Sequence, residues 1–236
     1  MRSRCAAKRA ILAMTLGVAC AAVPAVSRAD GGSTPAVQPT AAISIVPGSE
    51  GIGVTVTRAL VPGVLNLNLG YTAYTFNRTF STSDVNYNGT FQLGGAPLTI
   101  SWFPWKGGVN LQVGAFFNNN QLSAVANPTF QGTFTINGHT YTVQQAGTIS
   151  GQTNFKTTAT YLGIGIGNPV GNGRGHLLLN LGAVYQGSPN VTVVATGAAA
   201  NPQLAADIQA EQANVNSKLN NLKWFPALSL GYAFPL

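Results

Sequence analysis

Two hydrophobic patterns divide the chain. Residues 1–29 hold one continuous apolar stretch, Ile11 to Ala22, behind the positive cluster Arg2, Arg4, Lys8 and Arg9. Beyond it, short segments alternate apolar and polar, as in Leu65-Asn66-Leu67-Asn68-Leu69 and Val109-Asn110-Leu111-Gln112-Val113. Successive side chains of a strand point to opposite faces, so a period of two gathers the apolar groups on one face. Repeated in an exported chain, this pattern predicts an all-β protein, an antiparallel transmembrane β-barrel.

Three short connections carry the Gly and Pro that tight reversals need: 60–63, 103–108 and 168–175. Between them lie longer connections, roughly 81–87, 123–151 and 187–222. Short turns alternating with long loops match the periplasmic and outer ends of such barrels. With both termini periplasmic, eight strands follow, near 39–46, 51–60, 64–77, 88–102, 109–122, 153–167, 176–186 and 223–234. Pro47-Gly48-Ser49-Glu50 makes a small outer loop after the first. The phase slips at Tyr74/Phe76 and at Gly94-Gly95-Ala96-Pro97, which predicts bulges there, or strands rising above the bilayer.

Parity assigns the faces. Ile52, Val54 and Val56, then Leu65, Leu67, Leu69 and Tyr71, point to lipid, as do Leu162, Ile164 and Ile166 and the Leu177–Tyr185 and Leu228–Phe234 sets. The opposite parity places Thr55, Asn66, Asn68, Gln112, Gly163, Gly165, Asn180 and Ser229 in a small, neutral, polar lumen, and these are the candidate site residues. A soluble barrel of the lipocalin type would reverse this, with apolar groups inside and charges outside. Clustered aromatics mark the two interfaces: Trp102, Phe103 and Trp105 at one, Tyr74, Phe76, Trp224 and Phe225 at the other.

The leader changes the electrostatics. Its apolar run falls short of the ~20 residues of a spanning helix, and Ser27-Arg28-Ala29 offers small residues for a peptidase, so cleavage is expected before Asp30. Cys20 suggests a lipoprotein signal only weakly, because Leu16 stands one place too far from it. Residues 30–38 then form a flexible periplasmic lead-in and 39–236 the barrel. The whole chain has 12 Lys+Arg against 5 Asp+Glu, and five of the bases belong to the leader, so the mature balance is about +2. That excess gives no support for nucleic-acid binding, which calls for clustered bases on one face. Both cysteines, Cys5 and Cys20, leave with the leader, which removes disulfides and thiol chemistry.

Two loops carry patterns of their own. Within 132–143, Asn137-Gly138 between alternating residues predicts a hairpin at the barrel mouth. Asn201-Pro202 predicts a helix start in the 201–222 segment, with Leu204, Ile208, Val215, Leu219 and Leu222 as one stripe. Asp207 and Glu211 early, with Lys218 and Lys223 late, suit the helix dipole. The stripe would pack on the barrel rim or dock on the membrane surface.

Thr160-Tyr161-Leu162-Gly163-Ile164-Gly165, Leu181-Gly182-Ala183-Val184-Tyr185-Gln186-Gly187-Ser188-Pro189-Asn190-Val191 and Lys223-Trp224-Phe225-Pro226 after the Ala210-Glu211 helix resemble motifs of one family. It comprises small Gram-negative outer-membrane barrels and includes the carbapenem-associated outer-membrane protein. The resemblance implies a monomer in the cell outer membrane, surrounded by its lipids and inserted by the barrel-assembly machinery. It also implies passage of small amino acids, including basic ones such as ornithine. The predicted lumen, lacking a carboxylate, weakens the basic preference, and the terminal Phe234-Pro235-Leu236 departs from the usual aromatic end.

Three functions are weighed. A narrow passive channel for small polar solutes rests on the inward small residues, although eight strands leave little free interior. A non-conducting structural or surface-interaction barrel would act through its outer loops. An enzyme is not expected: His139, His176, Asp30, Glu50, Asp84, Asp207 and Glu211 are scattered, without metal-ligand or catalytic spacing. No metal or other cofactor is expected.

Overall fold

In lipid every backbone N–H and C=O must find a partner within the protein, so a sheet there has to close on itself. A computed structural model describes residues 39–81, 85–128 and 133–236. The expected leader (1–29) and lead-in (30–38) lie outside these residues. The chain runs through β1 (Ala41–Gly48), β2 (Gly51–Val61), β3 (Leu65–Ser81), β4 (Val85–Trp102), β5 (Val109–Asn118) and β6 (Gln121–Pro128). There follow β7 (Thr133–Ile136), β8 (His139–Thr142), α1 (Val143–Ala146), β9 (Ile149–Asn154) and β10 (Thr158–Ile166). The last elements are β11 (His176–Tyr185), β12 (Asn190–Ala195), α2 (Pro202–Leu219) and β13 (Trp224–Pro235).

Eight of these strands close a ring in the order β1-β2-β3-β4-β5-β10-β11-β13, with β13 pairing back onto β1. The antiparallel closure runs from Ala42 opposite Pro235 to Gly48 opposite Ser229. The parity assignment holds on the outside: Ile52, Leu69, Tyr71, Leu162, Ile164, Leu181, Leu228 and Leu230 are all exposed. So large an uncovered apolar surface is tolerable only in hydrocarbon. No described helix is long and apolar enough to cross a membrane, so the crossing belongs to the strands.

Several strand boundaries differ from expectation for one reason. The segments read as single strands over 109–122 and 153–167 each break, at 119–120 and 155–157, because their outer halves leave the barrel. β6 and β9 join the upper half of β4 in a second sheet, ordered β3-β4-β6-β9-β12, which continues the barrel wall beyond its rim. The fork lies in β4: Gly95–Trp102 pair with β5, whereas Val85–Gln92 pair with β6. Gly94, at φ 142°, occupies the junction, where its N–H donates to Asn120 Oδ1 at 2.9 Å.

No bulge lies where the phase slips. β3 and β4 keep one register from Leu65–Trp102 to Ser81–Asn86, so the pattern changes because the strands rise out of the bilayer. The register shift occurs instead between Ala59 and Val61 of β2. Above the fork Phe76 stacks on Phe91, with ring centroids 4.7 Å apart.

The loop patterns are seen with two corrections. The 132–143 segment forms the β7–β8 hairpin, with Asn137 at φ 48° and Gly138 at φ 83° in its turn. Asn201 caps α2, its Oδ1 accepting from the Leu204 N–H. Leu204 and Ile208 are buried, in a small core with Phe134, Ile136 and Tyr141, so the helix packs on the extra-membrane sheet and hairpin. Leu222 lies beyond the helix and is exposed. Its first turn carries no acid, and Asp207 is buried; only Lys218, in the last turn, follows the dipole expectation.

The outer face predicts its own energetics. Leu162→Arg, on the lipid side of β10, is expected to cost about 2–4 kcal/mol if it lies near the midplane, and denaturant unfolding from lipid vesicles measures it. Thr90→Arg, in the part of β4 above the fork, is expected to leave the midpoint unchanged.

Candidate functional site in the barrel lumen

The inward parity delivers polar side chains to the barrel axis, where they must satisfy one another because the wall excludes lipid and most water. On one side, Thr57 Oγ1 donates to Asn68 Oδ1 at 2.9 Å, and Asn68 Nδ2 donates to Ser101 Oγ at 2.8 Å. On the other, Gln112 Nε2 donates to Asn180 Oδ1 at 2.7 Å and to Asn110 Oδ1 at 2.8 Å. Asn180 Nδ2 in turn donates to Ser229 Oγ at 3.2 Å. The Tyr161 hydroxyl donates to Gln112 Oε1 at 3.2 Å.

Between these two ladders lies a cavity of about 100 Å³. Thr55, Asn68, Gln112, Asn180 and Ser229 of the sequence-predicted set line it. Asn66, fully buried, sits apart from the cavity lining and donates to Asn168 Oδ1 at 3.1 Å. Gly163 and Gly165 do not line the cavity. A Cβ at Gly163 would stand 2.7 Å from the Tyr161 hydroxyl, and one at Gly165 2.5 Å from Gln112 Nε2, so these glycines make room for large side chains.

The ends of the lumen narrow. Phe116, Ala159, Tyr161, Val184 and Ala227 form an apolar cluster inside the wall, with Phe225 against it. Beyond the cluster, Asn118 and Asn120 both donate to Gln186 Oε1, at 3.3 and 3.4 Å. At the periplasmic turns Phe103 is 1% exposed and Val170 5%. Phe103 therefore faces the interior instead of joining Trp102 and Trp105 at the interface, and Phe225 likewise turns inward at the other end. Parity could have found both, since each lies an even number of residues from an inward group on its strand or strand end.

The lumen does contain a carboxyl group. Glu50, read from sequence as a residue of a small outer loop, lines the cavity. The reason is the shortness of the β1–β2 hairpin, whose two-residue turn, Ser49-Glu50, comes at the level of Ser229 rather than projecting from the rim. Among the described residues lining the cavity, Glu50 is the one Asp, Glu, Lys or Arg. A two-residue turn gave no sign of which way its second side chain would point.

The second polar centre lies above the barrel. Asp207 Oδ1 of α2 accepts from Asn137 Nδ2 at 3.1 Å, and Oδ2 accepts from the Tyr141 hydroxyl and lies 2.9 Å from His139 Nδ1. His139 is thus a partner of Asp207 while remaining largely exposed, and His176 opens β11 with its Nε2 buried and unpartnered. Asp207 is held down at about 2, chiefly by the Tyr141 and Asn137 hydrogen bonds; Tyr141 is pushed up to about 12, chiefly by its bond to Asp207. No group of three or more His, Cys, Asp or Glu able to hold a metal occurs among the described residues.

A closed antiparallel barrel with an apolar outer band, aromatic residues at its edges and a polar interior defines a transmembrane β-barrel of the outer-membrane type. Its fold is shared by crystal structures of two Acinetobacter baumannii proteins. CarO2 is 20% identical with a TM-score of 0.55, covering 84% of this chain and 99% of its own. CarO is 20% identical with a TM-score of 0.50, covering 84% and 98%. No family model matches the chain, and no curated protein matches it.

The Asp207 centre sets a pH window for the hairpin. A lowered carboxyl pKa contributes stability above the unfolded value of 3.8, and that contribution disappears as pH falls through about 2. A raised phenol pKa contributes stability below 10.0, lost as pH rises through about 12. Hydrogen-exchange protection of 133–142 is therefore expected to hold between these limits and fall outside them. Asp207→Asn is expected to lower protection at pH 7 and to flatten the acid limb.

Proposed function

We propose that this barrel is a narrow passive channel for small polar solutes such as amino acids. The observation that carries the reading is the polar cavity between the two side-chain ladders, bounded by hydroxyl, amide and backbone groups from six or more strands. Such groups replace the hydration of a solute a few heavy atoms across, whereas large or apolar solutes find neither room nor partners. The Tyr161–Gln112 contact borders the cavity and the Phe116 cluster packs inside the wall beside it, so on this reading passage of a solute requires these side chains to move. The protein works as a monomer in the outer membrane on this reading, and its partners are lipid, the assembly machinery and the solute.

A second reading has its own support. The five-stranded sheet, hairpin and α2 form a folded platform above the barrel, with a core separate from the lumen. A barrel whose work is surface interaction would use this platform and leave the lumen shut.

Uptake of glycine, ornithine and a small sugar into proteoliposomes separates the two, on protein whose folding is verified by heat-shifted gel mobility. Uptake of the amino acids above empty vesicles is expected. Tyr161→Ala is expected to raise it several-fold by removing a large side chain from the lumen. Absence of flux through folded wild-type and Tyr161→Ala protein would overturn the channel and favour the surface reading.

A further inference from the structure

Halfway along α2 the face turned toward the sheet changes chemistry. Leu204 and Ile208 are apolar and buried in the core above the barrel, but the next residues at the same spacing are Gln212 and Asn216. An amide on a packing face needs partners of its own. These two find them on the backbone of β12. Asn216 Oδ1 accepts from the Val191 N–H at 2.7 Å while its Nδ2 donates to the Val191 C=O at 3.1 Å. Gln212 Oε1 accepts from the Val193 N–H at 3.0 Å.

A neighbouring strand would make the same bonds. β12 ends the upper sheet, and among the described strands its one neighbour is β9. Backbone groups alternate sides along a strand, so Val191 and Val193 turn theirs away from β9 and toward α2. Four residues of helix advance about 6 Å and two of strand about 6.8 Å. Side chains four apart on α2 therefore keep step with alternate residues of β12.

The edge covered in this way has a composition that pairs readily. Asn190–Ala195 holds four β-branched residues in six, with no charge and no proline. The opposite edge of the sheet is treated differently. Among the described strands β3 pairs with β4 alone beyond Ala73, and that stretch carries the exposed charge of Arg78.

We propose that Gln212 and Asn216 act as a surrogate strand that keeps the β12 edge from pairing with a second copy of this chain. The edge fits such a partner. With two copies antiparallel and Thr192 opposite its counterpart, Val191 of one copy faces Val193 of the other. Each backbone group now held by an amide then meets backbone instead, and the two-fold arrangement covers both edges at once. The helix amides prevail because they are tethered beside the edge, whereas a second copy must be recruited from solution. The inference concerns the platform above the membrane and stands whether or not the barrel conducts.

Two measurements on the full chain test it. The first is mass by light scattering in detergent, on protein shown folded by heat-shifted gel mobility. Wild type is expected to be monomeric, and Gln212→Ala/Asn216→Ala to shift to dimer as concentration rises. Alanine is the strongest helix former, so the shift would not come from loss of the helix itself. Adding Thr192→Lys, at an exposed position, sets two like charges face to face at the two-fold axis and is expected to restore the monomer. A dimeric wild type, a folded double variant that stays monomeric, or a dimer that Thr192→Lys leaves intact overturns the proposal. Either single variant serves in the same test should the double one fail to fold. The second measurement is amide hydrogen exchange at the edge. Gln212→Ala is expected to speed exchange at Val193 several-fold and leave Val191 protected, and Asn216→Ala to do the reverse. Exchange unchanged at both positions would show that the amides do not hold the edge, and overturns the proposal as well.

Discussion

Backbone pairing in a solvent that offers no hydrogen bonds is the constraint on which this structure depends. It requires the first and last strands of the described chain to meet, and β1 and β13 do so over most of the length of β1. Closure then sorts the side chains. With lipid on one side and a lumen barely wider than the side chains on the other, each period-two segment has one register that avoids burying polar groups in hydrocarbon. The apolar band and the polar ladders are two consequences of one geometric requirement.

Where lipid ends, the constraint relaxes, and the chain changes partners. β4 serves two sheets, pairing with β5 inside the bilayer region and with β6 above it. Gly94 adopts a backbone angle at this fork that other residues rarely reach, while Asn118, Asn120 and Gln186 bond across the opening. Water on the outer side permits a conventional small hydrophobic core, and α2, the hairpin and the upper sheet build one around Leu204 and Tyr141. Asp207 fastens the helix to the hairpin from within that core.

Inside the barrel the same economy operates with amides and hydroxyls. Nearly every lumenal amide is committed to a neighbour, so the lumen is an ordered lattice with a small remaining space. Glycine contributes by absence: Gly163 and Gly182 leave the space that the Tyr161 ring occupies, its hydroxyl lying 2.7 and 2.8 Å from where their Cβ atoms would stand. Many inward glycines therefore signal large neighbours as readily as an open water path.

Sequence alone determined the number of barrel strands, the sidedness of each of them, the 132–143 hairpin and the capped helix. Each follows from local periodicity or from a few adjacent residues: Leu65 to Leu69 alternate whatever surrounds them, and Asn201-Pro202 begins a helix without help from the sheet. Tertiary structure alone decided where strands stop belonging to the barrel, because nothing in Asn118-Asn119-Asn120 marks the point where β4 changes partner. It also decided that Asp207 is a buried tie rather than a dipole partner, and that Glu50 enters the lumen. These depend on how high one hairpin reaches relative to its neighbours around a closed ring, a distance set by strands far apart in the chain and written in no single stretch of it.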